Sequence, residues 1–338
     1  MMTRPLIVAE LSANHNQNLE IAKKSLIAIK ECGANAIKLQ TYTPECLTLN
    51  CTDECFQINS GTLWDGKTLY ELYQEAYMPW EWHNELFALA RSLDLIIFSS
   101  PFSLKALELL EQLDCPMYKI ASFEITDTNL IYEVAKTHKP IIISTGIATE
   151  EEIKDALDMC KKAGNSDITL LKCTSSYPAP LQEANLLSMP QLGEKYNVKY
   201  GLSDHTQGYL SAIIATTLGA NMIEKHFILD KKLGGVDADF SLDKLEFEEM
   251  VQAINSTILA LGNKEPKIDL KKLTNQRKFA RSLFVSKNIK KGEVLSMQNI
   301  QSVRPNNGLA PKYLKDIIGK KANTDLKFGK PLQIDDFS

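Results

Sequence analysis

The chain has 338 residues, 44% of them apolar, and its 38 Lys and Arg against 42 Asp and Glu leave a formal net charge of −4. That length allows one large domain and a small companion, because single cores stop growing at about 250–300 residues. With no apolar stretch long enough for a membrane-spanning helix and no sustained basic run, neither membrane nor nucleic acid is expected as a partner.

From the N-terminus, residues 1–4 run straight into an apolar strand pattern rather than a signal peptide. The seven cysteines are odd in number and scattered, as reduced thiols are, so the expected compartment is the cytoplasm. Eight short apolar runs follow, each ending in polar residues: 7–13, 36–42, 95–101, 117–122, 140–145, 168–176, 199–205 and 222–227. Segments of helical period separate them. Eight strand–helix units in about 250 residues are what a (β/α)8 TIM barrel requires. An open doubly wound sheet is the alternative, but no glycine-rich dinucleotide turn follows the first run.

Residues 19–31 carry apolar side chains at helical spacing, and Gly33 sits where a C-terminal cap belongs. Thr149 before Glu150, Glu151 and Glu152 reads as an N-cap with an acidic first turn. Residues 42–67, after the second run, read as a lid, since a loop of that length is usually functional. A featureless insertion is the plainer alternative. Cys46, Cys51 and Cys55 lie in it without histidines at zinc spacing. Residues 1–262 are thus the expected catalytic barrel, and the charged stretch 263–276 reads as a linker. Residues 277–338 change to short strands with turn signals, a small β-rich module near the lower size for independent folding.

Barrel enzymes draw their catalytic groups from the C-terminal ends of strands. The polar tips here supply Glu10 and Asn14, Lys38 and Gln40, Ser99 and Ser100, Lys119 and Ser122, Ser144, Ser175, and Ser203. His205 and His226 occupy equivalent ends of the last two runs, where two imidazoles at one rim form a weak, exchangeable site for a divalent metal. Each histidine alone is more often structural. Lys38 and Lys119 are costly to bury unless an anion meets them. Phosphate or carboxylate on a ligand suits both lysines and the nearby hydroxyls, while a rim carboxylate such as Glu10, Glu124 or Glu224 is the structural alternative.

The ordered motifs AELSANHNQ from Ala9, IKLQTY from Ile37, SSPFS from Ser99, YKIASFE from Tyr118, PIIISTG from Pro140, KCTSSYPAP from Lys172, GLSDHT from Gly201 and EKHF from Glu224 together resemble the sialic acid synthase family. VRPNNGL from Val303 is similar to the arginine-bearing segment of that family's antifreeze-like (SAF) domain. The resemblance implies condensation of phosphoenolpyruvate with the open-chain aldehyde of an acylamino sugar. It implies that Lys38, Ser100, Lys119, Ser122, Ser144, Ser175 and Ser203 hold phosphoenolpyruvate, and that Glu10, Asn14, Gln40, Tyr177 and Asp237 face the sugar. Arg304 would reach in from the partner of a homodimer with exchanged C-terminal domains. His205 and His226 would hold Mn²⁺, Mg²⁺ or Co²⁺, with Glu10, Lys119 and Glu124 as the catalytic groups. SANHNQ after the first strand and the lid sequence look like the pseudaminic acid synthase branch, with neuraminate and legionaminate synthesis as neighbouring alternatives. A Schiff-base aldolase using Lys38 or Lys119 is the competing enzyme class, and a sugar- or ice-binding protein the non-enzymatic one.

Overall fold

The computed structural model describes residues 4–59, 61, 64–262 and 269–338. Eight parallel strands close into a barrel in chain order: β1 (Leu6–Glu10), β2 (Ala36–Thr41), β3 (Ile96–Pro101), β4 (Tyr118–Ile120), β5 (Ile141–Ser144), β6 (Ile168–Cys173), β7 (Lys199–Asp204) and β8 (Met222–His226). The eight apolar runs are therefore eight barrel strands, and the open-sheet alternative falls. Around them lie α1 (Leu19–Glu31), α2 (Pro44–Leu47), α3 (Leu69–Ala76), α4 (His83–Ser92), α5 (Leu104–Gln112), α6 (Thr128–Ala135), α7 (Glu150–Lys162), α8 (Met189–Tyr196), α9 (Leu210–Thr217) and α10 (Lys244–Leu261).

Local chemistry sets the helix ends. The Asn18 side chain accepts from the backbone N–H of Glu20 and Ile21 at the start of α1, and Gly33 takes a φ of 83° just past its end. Thr149 and Glu152 form a reciprocal capping box on α7. Apolar faces meet in one core, where Ile7, Leu26, Ile37, Phe98, Leu170 and Phe247 are fully buried. Each such side chain contributes roughly 1.5–3 kcal/mol over exposure.

Register decides which polar tips become neighbours. Glu10 lies beside Lys38 on β2 and beside His226 on β8, Gln40 beside Ser100, and Ser203 between Cys173 and Glu224. Alternation along each strand turns residues of this set inward together. Within the expected lid, α2 is followed by a 3₁₀ turn at Glu54–Phe56 and an antiparallel bridge between Gln57 and Thr68. Residues 60, 62 and 63 of the lid lie outside the described residues, as do residues 1–3, the expected lead-in to the first strand.

The chain divides into two compact units, Met1–Gly262 and Asn263–Ser338. In the second, α11 (Leu270–Arg277) occupies part of the stretch expected as a linker, because Asp269 caps it by accepting from Lys271 and Lys272 N–H. The rest of that stretch, 263–268, lies outside the described residues. Strands β9 (Ser282–Val285) and β10 (Ile300–Val303) pair antiparallel, α12 (Leu314–Ile317) follows, and Leu283, Val285, Leu295, Ile300 and Leu332 form a separate small core.

Candidate active site

The C-terminal strand ends open on a pocket of about 470 Å³. At its floor Lys38 and Lys119 are both almost fully buried. Lys38 Nζ lies 3.0 Å from Glu10 Oε1 and 3.0 Å from Glu224 Oε1, and Lys119 Nζ lies 2.6 Å from the same Glu224 oxygen. Ser203 Oγ donates to that oxygen at 2.9 Å, while Gln40 Nε2 donates to Glu10 Oε1 at 2.8 Å. Glu224 is thus the centre of the floor. Burial alone would raise the pKa of both carboxyls, but Lys119 and Lys38 hold Glu224 low, and Lys38 and His226 hold Glu10 low. Burial lowers the Lys119 pKa despite Glu224.

Several buried polar atoms lining this pocket have no protein partner: Ser144 Oγ, Glu224 Oε2, Glu124 Oε2 and His226 Nδ1, with Ser100 Oγ also unpartnered behind its surface. Leaving such groups unpaired costs about 1–3 kcal/mol each, so their clustering points to a ligand. Gly146 helps shape this place. A Cβ there would collide with Ser175 Oγ and sit 2.8 Å from Ser122 Oγ and 3.1 Å from Cys173 Sγ, so a larger residue would push these side chains out of their present positions.

Above the floor the rings of His205 and His226 stand 5.2 Å apart. His205 Nδ1 is 3.0 Å from the Thr174 carbonyl oxygen, which leaves Nε2 for another partner. His226 Nε2 is 3.2 Å from Glu10 Oε2, and burial pushes its pKa down to about 3, so the ring is neutral at pH 7. A neutral imidazole is the form that binds metal. No group of three or more His, Cys, Asp or Glu in ligating geometry occurs among the described residues. The two rings and the unpartnered His226 Nδ1 nevertheless fit a loosely held divalent ion completed by water or substrate. Cys173 Sγ, 3.6 Å from His205 Nδ1, is held down to about 7 against the upward push of burial.

Toward the mouth, Glu124 is pushed up to about 7 by burial, and burial also raises Asp237, which accepts from Ser12 Oγ and Ala13 N–H. Glu10, Lys38, Gln40, Lys119, Ser122, Glu124, Ser144, Ser175, Tyr177, Ser203, His205, His226 and Asp237 all line the pocket. Ser100 does not reach its surface. Asn14 is also elsewhere: its amide nitrogen donates to Phe227 O and Ser241 Oγ at 2.8 Å each, bolting the loop after β1 to the segment after β8. Left-handed turns at Ser12, Asn16 and Gln17 carry it away from the mouth. Arg304 belongs to the second unit, where it is exposed. A larger hollow of about 760 Å³ beside α7 and α8 holds none of these groups.

Two buried lysines, unpartnered hydroxyls and two neighbouring imidazoles at the mouth of a closed parallel barrel define a (β/α)8 enzyme for an anionic substrate. Within that class the chain belongs to the NeuB family, whose model matches residues 26–266, and a SAF domain model matches residues 280–338. It is 61% identical over 336 residues to the pseudaminic acid synthase of Helicobacter pylori, covering 99% of this chain and 98% of that protein. It is 50% identical over 331 residues to the pseudaminic acid synthase of Campylobacter jejuni, covering 98% and 96%. Among solved structures it resembles N-acetylneuraminic acid synthetase of Leptospira borgpetersenii in complex with citrate, with TM-score 0.71 and 29% identity over 81% of this chain and 92% of that one.

Proposed function

We propose that this protein condenses phosphoenolpyruvate with 2,4-diacetamido-2,4,6-trideoxy-L-altrose and water, giving pseudaminic acid and releasing phosphate by C–O cleavage. One observation carries the reading: Lys38 and Lys119 converge with the unpartnered Ser144 hydroxyl beneath the two imidazoles of His205 and His226, in a chain 61% identical to a pseudaminic acid synthase. The floor takes the phosphate and carboxylate of phosphoenolpyruvate. Lys38 and Lys119 supply charge, and Ser122, Ser144, Ser175 and Ser203 supply hydroxyls, of which Ser144 Oγ has no protein partner and Ser203 Oγ is already bonded to Glu224, with Ser100 behind them. Glu10, Gln40, Tyr177 and Asp237 face the sugar.

C3 of phosphoenolpyruvate attacks the aldehyde carbon, and positive charge develops at C2. The ionised Glu10 and Glu224 lie where they stabilise that charge. Glu224 Oε2 is a buried acceptor free to take a proton from the water that adds at C2, after which phosphate leaves. Glu124, titrating near neutral pH, exchanges the proton required at the aldehyde oxygen. His205 and His226 would hold Mn²⁺, Mg²⁺ or Co²⁺, which when bound polarises the aldehyde oxygen as a Lewis acid. The lid over the mouth excludes stray water. The protein works in the cytoplasm as a homodimer whose exchanged C-terminal modules bring Arg304 to the partner's sugar site.

The test is phosphate release from phosphoenolpyruvate with the sugar precursors of pseudaminic, neuraminic and legionaminic acids. Release with the first alone is expected, and release only with another moves the protein to that branch. Borohydride trapping with a keto acid should give no adduct, whereas a covalent adduct on Lys38 or Lys119 would make it a Schiff-base aldolase.

A further inference from the structure

The pocket has a second half whose chemistry the condensation itself does not require. Beyond the imidazoles, one wall comes from the segment after β2 and from α3, with Tyr42, Leu47, Ile58, Leu69, Leu72 and Tyr73 facing the cavity. The only side-chain polar atoms these six bring are two phenolic oxygens. Tyr42 packs edge-on against Tyr73, with ring centroids 5.9 Å apart, so the wall is a continuous surface. Carboxylates enter the pocket from elsewhere: Glu10 and Glu224 from β1 and β8, Glu124 and Asp237 from the segments after β4 and β8.

An ordinary hexosamine offers a hydroxyl at its terminal carbon. Against this wall that hydroxyl would lose its water and find few partners, whereas a methyl group would bury apolar surface. We infer that the wall formed by Leu47, Leu69 and Leu72 is the specificity element for the sugar, selecting an acylated substrate whose terminal carbon is a methyl rather than a hydroxymethyl group. The inference rests on the reaction proposed above and names the residues that choose its substrate. An apolar site rejects an added hydroxyl by about 10²-fold at most, so discrimination of about 10–100-fold is expected.

The test compares kcat/KM at saturating phosphoenolpyruvate for 2,4-diacetamido-2,4,6-trideoxy-L-altrose and its 6-hydroxy counterpart. Wild type should prefer the deoxy sugar by about 10–100-fold. Leu69→Asn and Leu47→Ser alter half-buried positions, and each should reduce that ratio at least severalfold. Leu72→Met, which conserves volume and apolarity, should keep it. Equal use of both sugars by wild type, or an unchanged ratio in both polar variants with native circular dichroism, overturns the inference while leaving the reaction standing. Phosphate release with neither sugar overturns the reaction and the inference with it.

Discussion

Lys225 and Asp204 form a buried ion pair on the opposite faces of β8 and β7 from His226 and Ser203, and its removal should be felt at the rim that carries His205 and His226. Lys225 is 0% exposed; its Nζ lies 2.8 Å from Asp204 Oδ2 and also donates to Thr206 O. Asp204 Oδ1 accepts from Thr206 N at 2.9 Å and from Thr206 Oγ1 at 2.8 Å. The pair therefore ties the two strand tips that carry His205 and His226. Lys225→Met leaves a carboxylate buried with one oxygen unpaired, a loss of about 3–5 kcal/mol from a total stability of about 5–15 kcal/mol. In Asp204→Asn/Lys225→Met the uncompensated charge is gone while the Thr206 bonds can persist, so most of that loss should return. Urea denaturation reads the stability, and calorimetric titration with Mn²⁺ reads the rim. The single variant should bind Mn²⁺ roughly tenfold more weakly, the scale seen when supporting groups around ligands are removed. A Lys225→Met protein that loses under about 1 kcal/mol and keeps its Mn²⁺ affinity would refute the reasoning.

Gly146→Ala should raise the KM for phosphoenolpyruvate more than that for the sugar, because the new methyl displaces Ser175 and Ser122; equal KM values in variant and wild type would remove the hydroxyl cradle from the anion site. Glu124 should give kcat/KM an inflection near pH 7, and Glu124→Gln should abolish it while lowering kcat/KM by about 10²–10⁴-fold; a wild-type pH profile in the variant excludes Glu124 as the proton carrier. Because its pKa is raised from 4.5 to about 7 on folding, the folded state holds the extra proton between those values, so this group's contribution to stability declines as pH rises across that window. His226→Ala should fold normally and lose its activation by Mn²⁺, read by activity with and without chelator. Arg304→Ala should raise sugar KM with phosphoenolpyruvate KM unchanged; unaltered sugar KM separates that residue from the site.

The barrel was legible because each strand is an apolar run with a polar tip, a pattern that survives without any knowledge of pairing. Alternation also put Glu224 and His226 on one face. What strand parity could not reveal is which inward groups meet across a closed ring. Lys38 and Lys119 come from β2 and β4, and only closure through β8 brings Glu224 between them; in the sequence that glutamate was one of three possible partners. Asn14 shows the opposite failure. It sits in a polar tip like the others, but the left-handed residues around it redirect its amide to Phe227 and Ser241, and no local composition marks that turn. Asp204 and Lys225, at the same strand ends as Ser203 and His226, point away from the pocket, because strand alternation gives the inward face to their neighbours.

The charge arrangement of the floor explains how such a pocket can fold before it meets a substrate. Two ammonium groups buried alone would each lose several kcal/mol of solvation, and the barrel offsets this with Glu10 and Glu224, so the four charges sum to zero. A ligand bearing phosphate and carboxylate therefore shares the lysines' positive charge with internal carboxylates. Each ammonium has three N–H donors, so Lys38 and Lys119 keep donors for the ligand beyond those given to Glu10 and Glu224, but their charge is already largely offset. The hydroxyls are different: Ser144 Oγ is buried without a partner, and a bond from it to the ligand displaces nothing. If phosphoenolpyruvate binds here as proposed, charge at this floor serves chiefly stability and position, and the neutral donors separate a bound anion from an empty pocket.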